Sequence, residues 1–228
     1  RVTSLLAQNA DEILTACADL DADVEVDLDG DRMERFASGE LDAAWVCGLL
    51  GAQLLTERVD GTILLAPVFE GRVRPVYQSV IIARAGSGYA SLADVAGARL
   101  AVNEYSSWSG YVGLVDHLES HRRSIDLFGE QIVSGGHVHS VIAVQSRAAD
   151  VAAIDHSVWD WLQRAGRTDG LVVIDRTSPA PAPPIIVHSN VDPSPLLALL
   201  KADLDSVVGI EHWAQADPTD YEFFEMPS

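Results

Sequence analysis

Basic residues are scarce in this chain. Its 228 residues carry 15 Lys and Arg against 34 Asp and Glu, a formal net charge of -19, with a pI near 4.5. A surface of that sign repels nucleic acid and anionic lipid and argues against both as partners. It also repels small anions at long range. An anion site here must therefore be made locally, from backbone N–H groups and hydroxyls. Cysteine is nearly absent: Cys17 and Cys47 alone exclude a disulfide framework and a thiolate metal cluster. Two buried thiols is the simpler reading, and one bridge between them stays open. No apolar run reaches the roughly 18–20 residues of a membrane span. The start, Arg1 to Leu6, lacks the sustained apolar stretch and small-residue cleavage site of a signal peptide. Two localisations follow: cytoplasmic, or extracytoplasmic with a leader already removed. The G-x-S-x-G elbow, Walker loop, H-E-x-x-H and G-x-G-x-x-G are all missing, so no cofactor and no metal is expected.

What is present is a core-forming composition, 48% hydrophobic and 21% charged, patterned as short β-rich runs alternating with helical ones. Strands are expected at Val2–Leu6, Val24–Leu28, Leu41–Cys47, Ile63–Phe69 and Pro75–Arg84, then at Arg99–Asn103, Gln131–Ser134, Val151–Ile154, Leu171–Asp175 and Ile185–His188. Helices are expected at Ala10–Leu20, Arg32–Ser38, Leu49–Glu57, Ser91–Val95, Ser109–Ser120, Val138–Ser146, His156–Arg164 and Pro195–Val208, and the tail from Asp217 reads as docked loop. The alternation is that of an α/β fold, with mixed sheets flanked by helices. Two connectors, near Pro75–Arg84 and Thr177–Ile186, divide it into two lobes, residues 1–78 with 182–228 and residues 79–181. A chain crossing twice between lobes makes a hinge, with a ligand cleft between them.

Three stretches carry candidate chemistry. The first is Asn103-Glu104-Tyr105-Ser106-Ser107-Trp108-Ser109-Gly110-Tyr111, between an expected strand and an expected helix. Serine hydroxyls and a glycine at a helix start can hold an oxyanion without Lys or Arg. The competing reading is a serine N-cap that only ends a loop. The second is Ser134-Gly135-Gly136-His137-Val138-His139-Ser140. Glycines let backbone approach a ligand, and His137 can donate to it. His139 and Ser140 either contribute or pack, and no third ligand supports a metal. The third is Asp150–His156, where Asp155 at a strand end could hold an amine or hydroxyl, or simply cap the helix that follows. In the first lobe Trp45 could wall a pocket or belong to the core. Tyr77 and Ser79, on a connector, could offer hydroxyls.

Taken in order, these segments resemble the phosphonate/phosphite-type substrate-binding components of ABC transporters, which have the type 2 periplasmic binding fold. Leu92-Ala93-Asp94-Val95-Ala96-Gly97-Ala98-Arg99-Leu100-Ala101-Val102 resembles the L-x-D-L-x-G-K-x-x-A segment of type 2 periplasmic binding proteins. Ser107-Trp108-Ser109-Gly110 resembles the S-x-S-G loop of the phosphonate branch. Ser134-Gly135-Gly136-His137, Ser140–Val144 and Asp150–Asp155 resemble its S-G-x-H-x-x-S-I-x-A-V and D-V-A-A-I-D run, and Asp42-Ala43-Ala44-Trp45 its D-x-A-W strand end. The resemblance spans roughly residues 1–190. It implies that Ser106, Ser107, Ser109, Gly110, Tyr105 and His137 cradle a small anionic ligand, that Tyr77 and Trp45 line the other side, and that Asp155 meets the far end of the ligand. Trp108, bulky in the middle of the serine loop, departs from the pattern and is expected to reshape the pocket. The implied protein is a non-enzymatic monomer that passes its ligand to a transporter permease. The alternative is a cytoplasmic biosynthetic enzyme of the same fold, with Asp155, His137 or Cys47 as acid, base or nucleophile, or a ligand sensor.

Overall fold

The computed structural model describes residues 2–3, 24–25, 32–56, 59–201 and 209–224. In chain order its elements are β1 (Val2–Thr3), β2 (Val24–Glu25), α1 (Arg32–Ala37), β3 (Ala43–Trp45), α2 (Gly48–Thr56), β4 (Gly61–Phe69), β5 (Val76–Tyr77), β6 (Ser79–Arg84), β7 (Arg99–Val102), α3 (Gly113–Ser120), β8 (Glu130–Val133), α4 (His137–Gln145), β9 (Val151–Asp155), α5 (His156–Arg164), β10 (Leu171–Arg176), β11 (Ala180–Pro181), β12 (Ile185–His188), α6 (Ser194–Lys201) and β13 (Ile210–Gln215). The expected helix over Ala10–Leu20, the residues of Val2–Leu6 and Val24–Leu28 beyond β1 and β2, and residues 202–208 lie outside the described residues, as does Cys17.

The chain divides into two compact units. One holds residues 1–76 and 181–228, the other residues 77–180. The first contains a six-stranded sheet in the order β13-β4-β12-β3-β1-β2, mixed in direction. Its core gathers Phe36, Leu41, Ala44, Val68, Ile185 and Ile186. Residues 218–224 form a 3-10 turn that buries Tyr221 and Phe224, and the Tyr221 hydroxyl donates to the Ala182 carbonyl at 2.7 Å.

The second unit contains a five-stranded sheet in the order β10-β6-β9-β7-β8. β7 runs parallel to both β8 and β9, while β6 runs antiparallel to β9 and β10. β9 is buried along its whole length, Val-Ala-Ala-Ile-Asp, as expected of a central strand covered on both faces. Its core packs Ile81, Leu100, Val102, Leu114, Leu118 and Phe128, each such side chain contributing about 1.5–3 kcal/mol on burial.

Three details differ from the sequence reading. Ser91–Val95 is a turn and not a helix: the Ser91 hydroxyl donates to the Asp94 carboxylate at 2.9 Å, but no helix propagates before Gly97 takes positive φ. The capping residues are there without enough length to follow. β13 was hidden because an edge strand with only its first residue fully buried shows little alternation. The expected single strand over Pro75–Arg84 is broken at Gln78, giving β5 and β6.

Candidate functional site

Because β7, β8 and β9 are parallel neighbours, their C-terminal ends open at one edge of the sheet, and each chain leaves that edge into a helical segment. This is where open α/β sheets bind ligands. Register brings a fourth strand there: Ser79, first in β6, pairs with Asp155, last in β9. Backbone bonds tie the first two loops together, from Ser134 N to Val102 O at 2.7 Å and from Gly135 N to Asn103 O at 3.0 Å.

The loop after β7 ends in a tight cap. The Ser107 hydroxyl accepts from Gly110 N at 3.1 Å, and the Ser107 carbonyl accepts from both Tyr111 N (3.1 Å) and Val112 N (3.0 Å). The second of these is an i to i+5 bond, so Trp108–Val112 form one π-helical turn before α3 begins. Such turns hold an extra residue in the winding and are frequent at functional sites. Trp108 is buried, and a Cβ at Gly113 would lie 2.9 Å from its ring nitrogen. The indole therefore rests on a glycine of the segment it starts.

Ser109 is buried at 5% exposure and reaches across to the second loop. Its hydroxyl shares a 3.1 Å hydrogen bond with His137 Nε2, and its carbonyl accepts from the Ser79 hydroxyl at 2.7 Å. His137 is the first residue of α4, after Gly135 at φ +81° and Gly136. As a residue it is half-buried, while its Nδ1 atom is fully enclosed. Burial pushes its pKa below the ordinary histidine value; Asp155 and the Ala153 carbonyl act the other way without prevailing. The imidazole is thus neutral at neutral pH. When its Nε2–H donates to Ser109 Oγ, the serine proton is left to donate to a ligand. The second loop is braced by Ser134, whose hydroxyl donates to Gly136 O at 3.1 Å and lies 2.7 Å from the Ser140 hydroxyl.

The other candidates fall as follows. Ser106 and Tyr105 are exposed on the loop after β7, and the Tyr105 ring meets Tyr111 edge to face at 4.9 Å. Asp155 caps α5: its Oδ1 accepts from Ser157 N (2.9 Å) and from the Ser157 hydroxyl (2.7 Å). Tyr77 is buried in β5. Trp45 and Cys47 are buried in the first unit. The Trp45 indole N–H donates to Pro183 O at 2.8 Å, and its ring meets Trp213 edge to face. His139 is exposed and Ser140 is buried against Ser134. Among the described residues no group of three potential ligands could hold a metal ion. Sequence reasoning named Asn103 only as the first residue of the candidate stretch, without a role of its own, and gave Ser79 only a loose role. The signal for Ser79 was its place first in β6, in register with the last residue of β9.

The two units and the serine-histidine edge define a class: α/β substrate-binding proteins of the two-lobe kind. A family model described as ABC transporter, phosphonate, periplasmic substrate-binding protein matches residues 19–208, and the chain belongs to that family. Its members are substrate-binding transport components, not enzymes, that bind small ligands outside the cytoplasm and work with a permease and an ATPase. No curated protein sequence matches the chain. Solved structures share the fold. PhnD1 from Prochlorococcus marinus, in complex with methylphosphonate, superposes with a TM-score of 0.82 at 16% identity, covering 98% of this chain and 94% of that one. The binding component of a phosphonate ABC transporter from Pseudomonas aeruginosa gives 0.78 at 18% identity, over 98% and 83%. A Xanthomonas citri protein bound to ATP gives 0.66 at 18%, over 98% and 94%. Among the described residues no helix is long and apolar enough to cross a membrane.

Proposed function

We propose that this chain captures a small phosphonate-type oxyanion at the C-terminal edge of β7, β8 and β9, and presents it to a membrane permease. The observation that carries this reading is the 3.1 Å contact between Ser109 Oγ and His137 Nε2. It joins two loops, each opening a helical segment, into one cluster of neutral donors. Ser107 and Ser109 supply directed protons, with the His137 N–H orienting Ser109, and the first-turn amides of α4 supply more, since a helix leaves its first N–H groups unpaired. Ser106 and Tyr105 border that edge from the exposed part of the loop. Asp155 acts by fixing α5 and meets a ligand only through an amine or hydroxyl at the far end. A protein this acidic gains from such a site: hydrogen bonds to a charged ligand are stronger than neutral ones, and they need no long-range attraction.

The chain works outside the cytoplasm as a monomer, with no nucleic-acid partner. Isothermal titration with methylphosphonate tests the reading. Saturable binding, with the ligand recovered unchanged by mass spectrometry, is expected. Absence of binding to methylphosphonate, phosphite and phosphate alike contradicts it.

A further inference from the structure

Asn103 directly follows β7 and stands between the two loops of the proposed site. Its backbone carbonyl holds Gly135 N at 3.0 Å. Its side chain, 8% exposed as a residue, lies on Gly110, so that a Cβ at position 110 would collide with the Asn103 carboxamide oxygen. That oxygen is buried without a hydrogen-bond partner among the described residues. A buried unpaired acceptor is uncommon in native folds and calls for an explanation. Here the explanation is steric. Gly110 donates its N–H to Ser107 at 3.1 Å and follows Ser109 directly, so whatever presses on Gly110 sets the orientation of both serines. The same residue, through its main chain, holds the turn that delivers His137.

We infer that Asn103 is a positioning residue that locks the Ser107–Gly110 turn and the Gly135–His137 turn into one frame, so that ligand affinity depends on a side chain that need not touch the ligand. The inference rests on the phosphonate reading for its effect on affinity, but the frame itself does not. Glycine at 110 and asparagine at 103 are then a matched pair: one leaves out the atoms whose space the other fills.

The test is Asn103→Ala in the full chain, with two readouts. In the ligand-free protein, hydrogen exchange at Gly110 and Gly135 should quicken together by about fivefold or more, while amides in the middle of β9 stay as slow as before. Joint acceleration is specific, because the bond that Gly135 makes is to the Asn103 main chain, which the substitution keeps. Methylphosphonate affinity should fall about tenfold. Gly110→Ala should abolish binding, and the double variant Asn103→Ala/Gly110→Ala should recover part of it. Unchanged exchange at Gly135, unchanged affinity, or a double variant no better than Gly110→Ala overturns the inference. If Asn103→Ala does not fold, Asn103→Ser carries the same measurements. Should the wild-type protein not bind methylphosphonate, the functional reading fails while the exchange data still decide on the frame.

Discussion

The two ends of the sheet in the second unit are built from opposite chemistry. At the N-terminal ends of β7 and β9 sits a cluster of full charges. Asp150 accepts from Arg99 N (3.0 Å), Arg99 Nε (3.0 Å), Arg99 Nη2 (3.0 Å) and Arg84 Nη2 (3.2 Å). Arg84 also donates to the carbonyls of Val144 and Ala149. These partners, the Arg99 side chain foremost, hold the Asp150 carboxyl down at about 2. At the C-terminal ends the donors at the centre are hydroxyls and a neutral imidazole. The comparison separates two uses of polarity. Guanidinium groups locked by a carboxylate stabilise strand ends but have little left to offer a guest. Uncharged donors on helix starts can take up an anion without first breaking an ion pair. With only 15 basic residues in the chain, at least two of them are committed to the structural end.

Substitutions can break this division, and the largest effect should come from the proposed ligand end. Replacing Ser107 and Ser109 together by Ala should weaken methylphosphonate binding by about 1–3 kcal/mol per hydroxyl, measured calorimetrically, and should lower the unfolding temperature as well, because the Ser107 cap on Gly110 N is lost. Equal affinity would remove both hydroxyls from the site. At the other end, Asp150→Asn should lower the unfolding free energy by about 1–2 kcal/mol, a figure reduced for the solvent that reaches this cluster, and leave ligand affinity alone. Its sign with pH is fixed: a depressed carboxylate contributes fully above its unfolded pKa of 3.8 and loses that contribution as pH falls through about 2. A drop in affinity in urea-matched, folded Asp150→Asn protein would show that the two ends are not separable.

His137 sharpens the contrast through its own pH dependence. A histidine buried in its neutral form binds protons more tightly when unfolded. Stability should therefore be level above pH 6.5 and decline as pH drops below it, the unfolded value marking where the loss begins. Thermal unfolding between pH 5 and 8 should show a smaller decline in His137→Asn than in the wild type. The smallest effect is expected of Trp45→Phe, which keeps an aromatic ring and gives up the bond to Pro183. Affinity should stay within about threefold, less than the energy of one ordinary hydrogen bond.

Much of the framework of this candidate site was legible before the fold was known, because its elements are marked locally. Glycine and serine between a β-rich run and a helical one signalled both loops, and the run Val151–Asp155 stood out as a buried strand with an acid at its end. The two cap readings were physically sound, since Ser107 and Asp155 do accept from the helix starts they precede. What the sequence hid is non-local. That Ser109 and His137 touch follows from β7 and β8 being parallel neighbours. The π-helical turn adds a single residue, which periodicity cannot register. The seat of Asn103 on Gly110 needs coordinates, because a glycine gives no sign of what fills the space beside it.

The most direct test of the central claim is nuclear magnetic resonance of the histidine side chains, labelled with 15N and titrated with methylphosphonate. The ring nitrogens of His137 should shift saturably, while those of His121 and His188, hydrogen-bonded to carbonyls elsewhere, stay in place. Saturable binding that leaves the His137 resonances unmoved would contradict a site built on the Ser109–His137 contact.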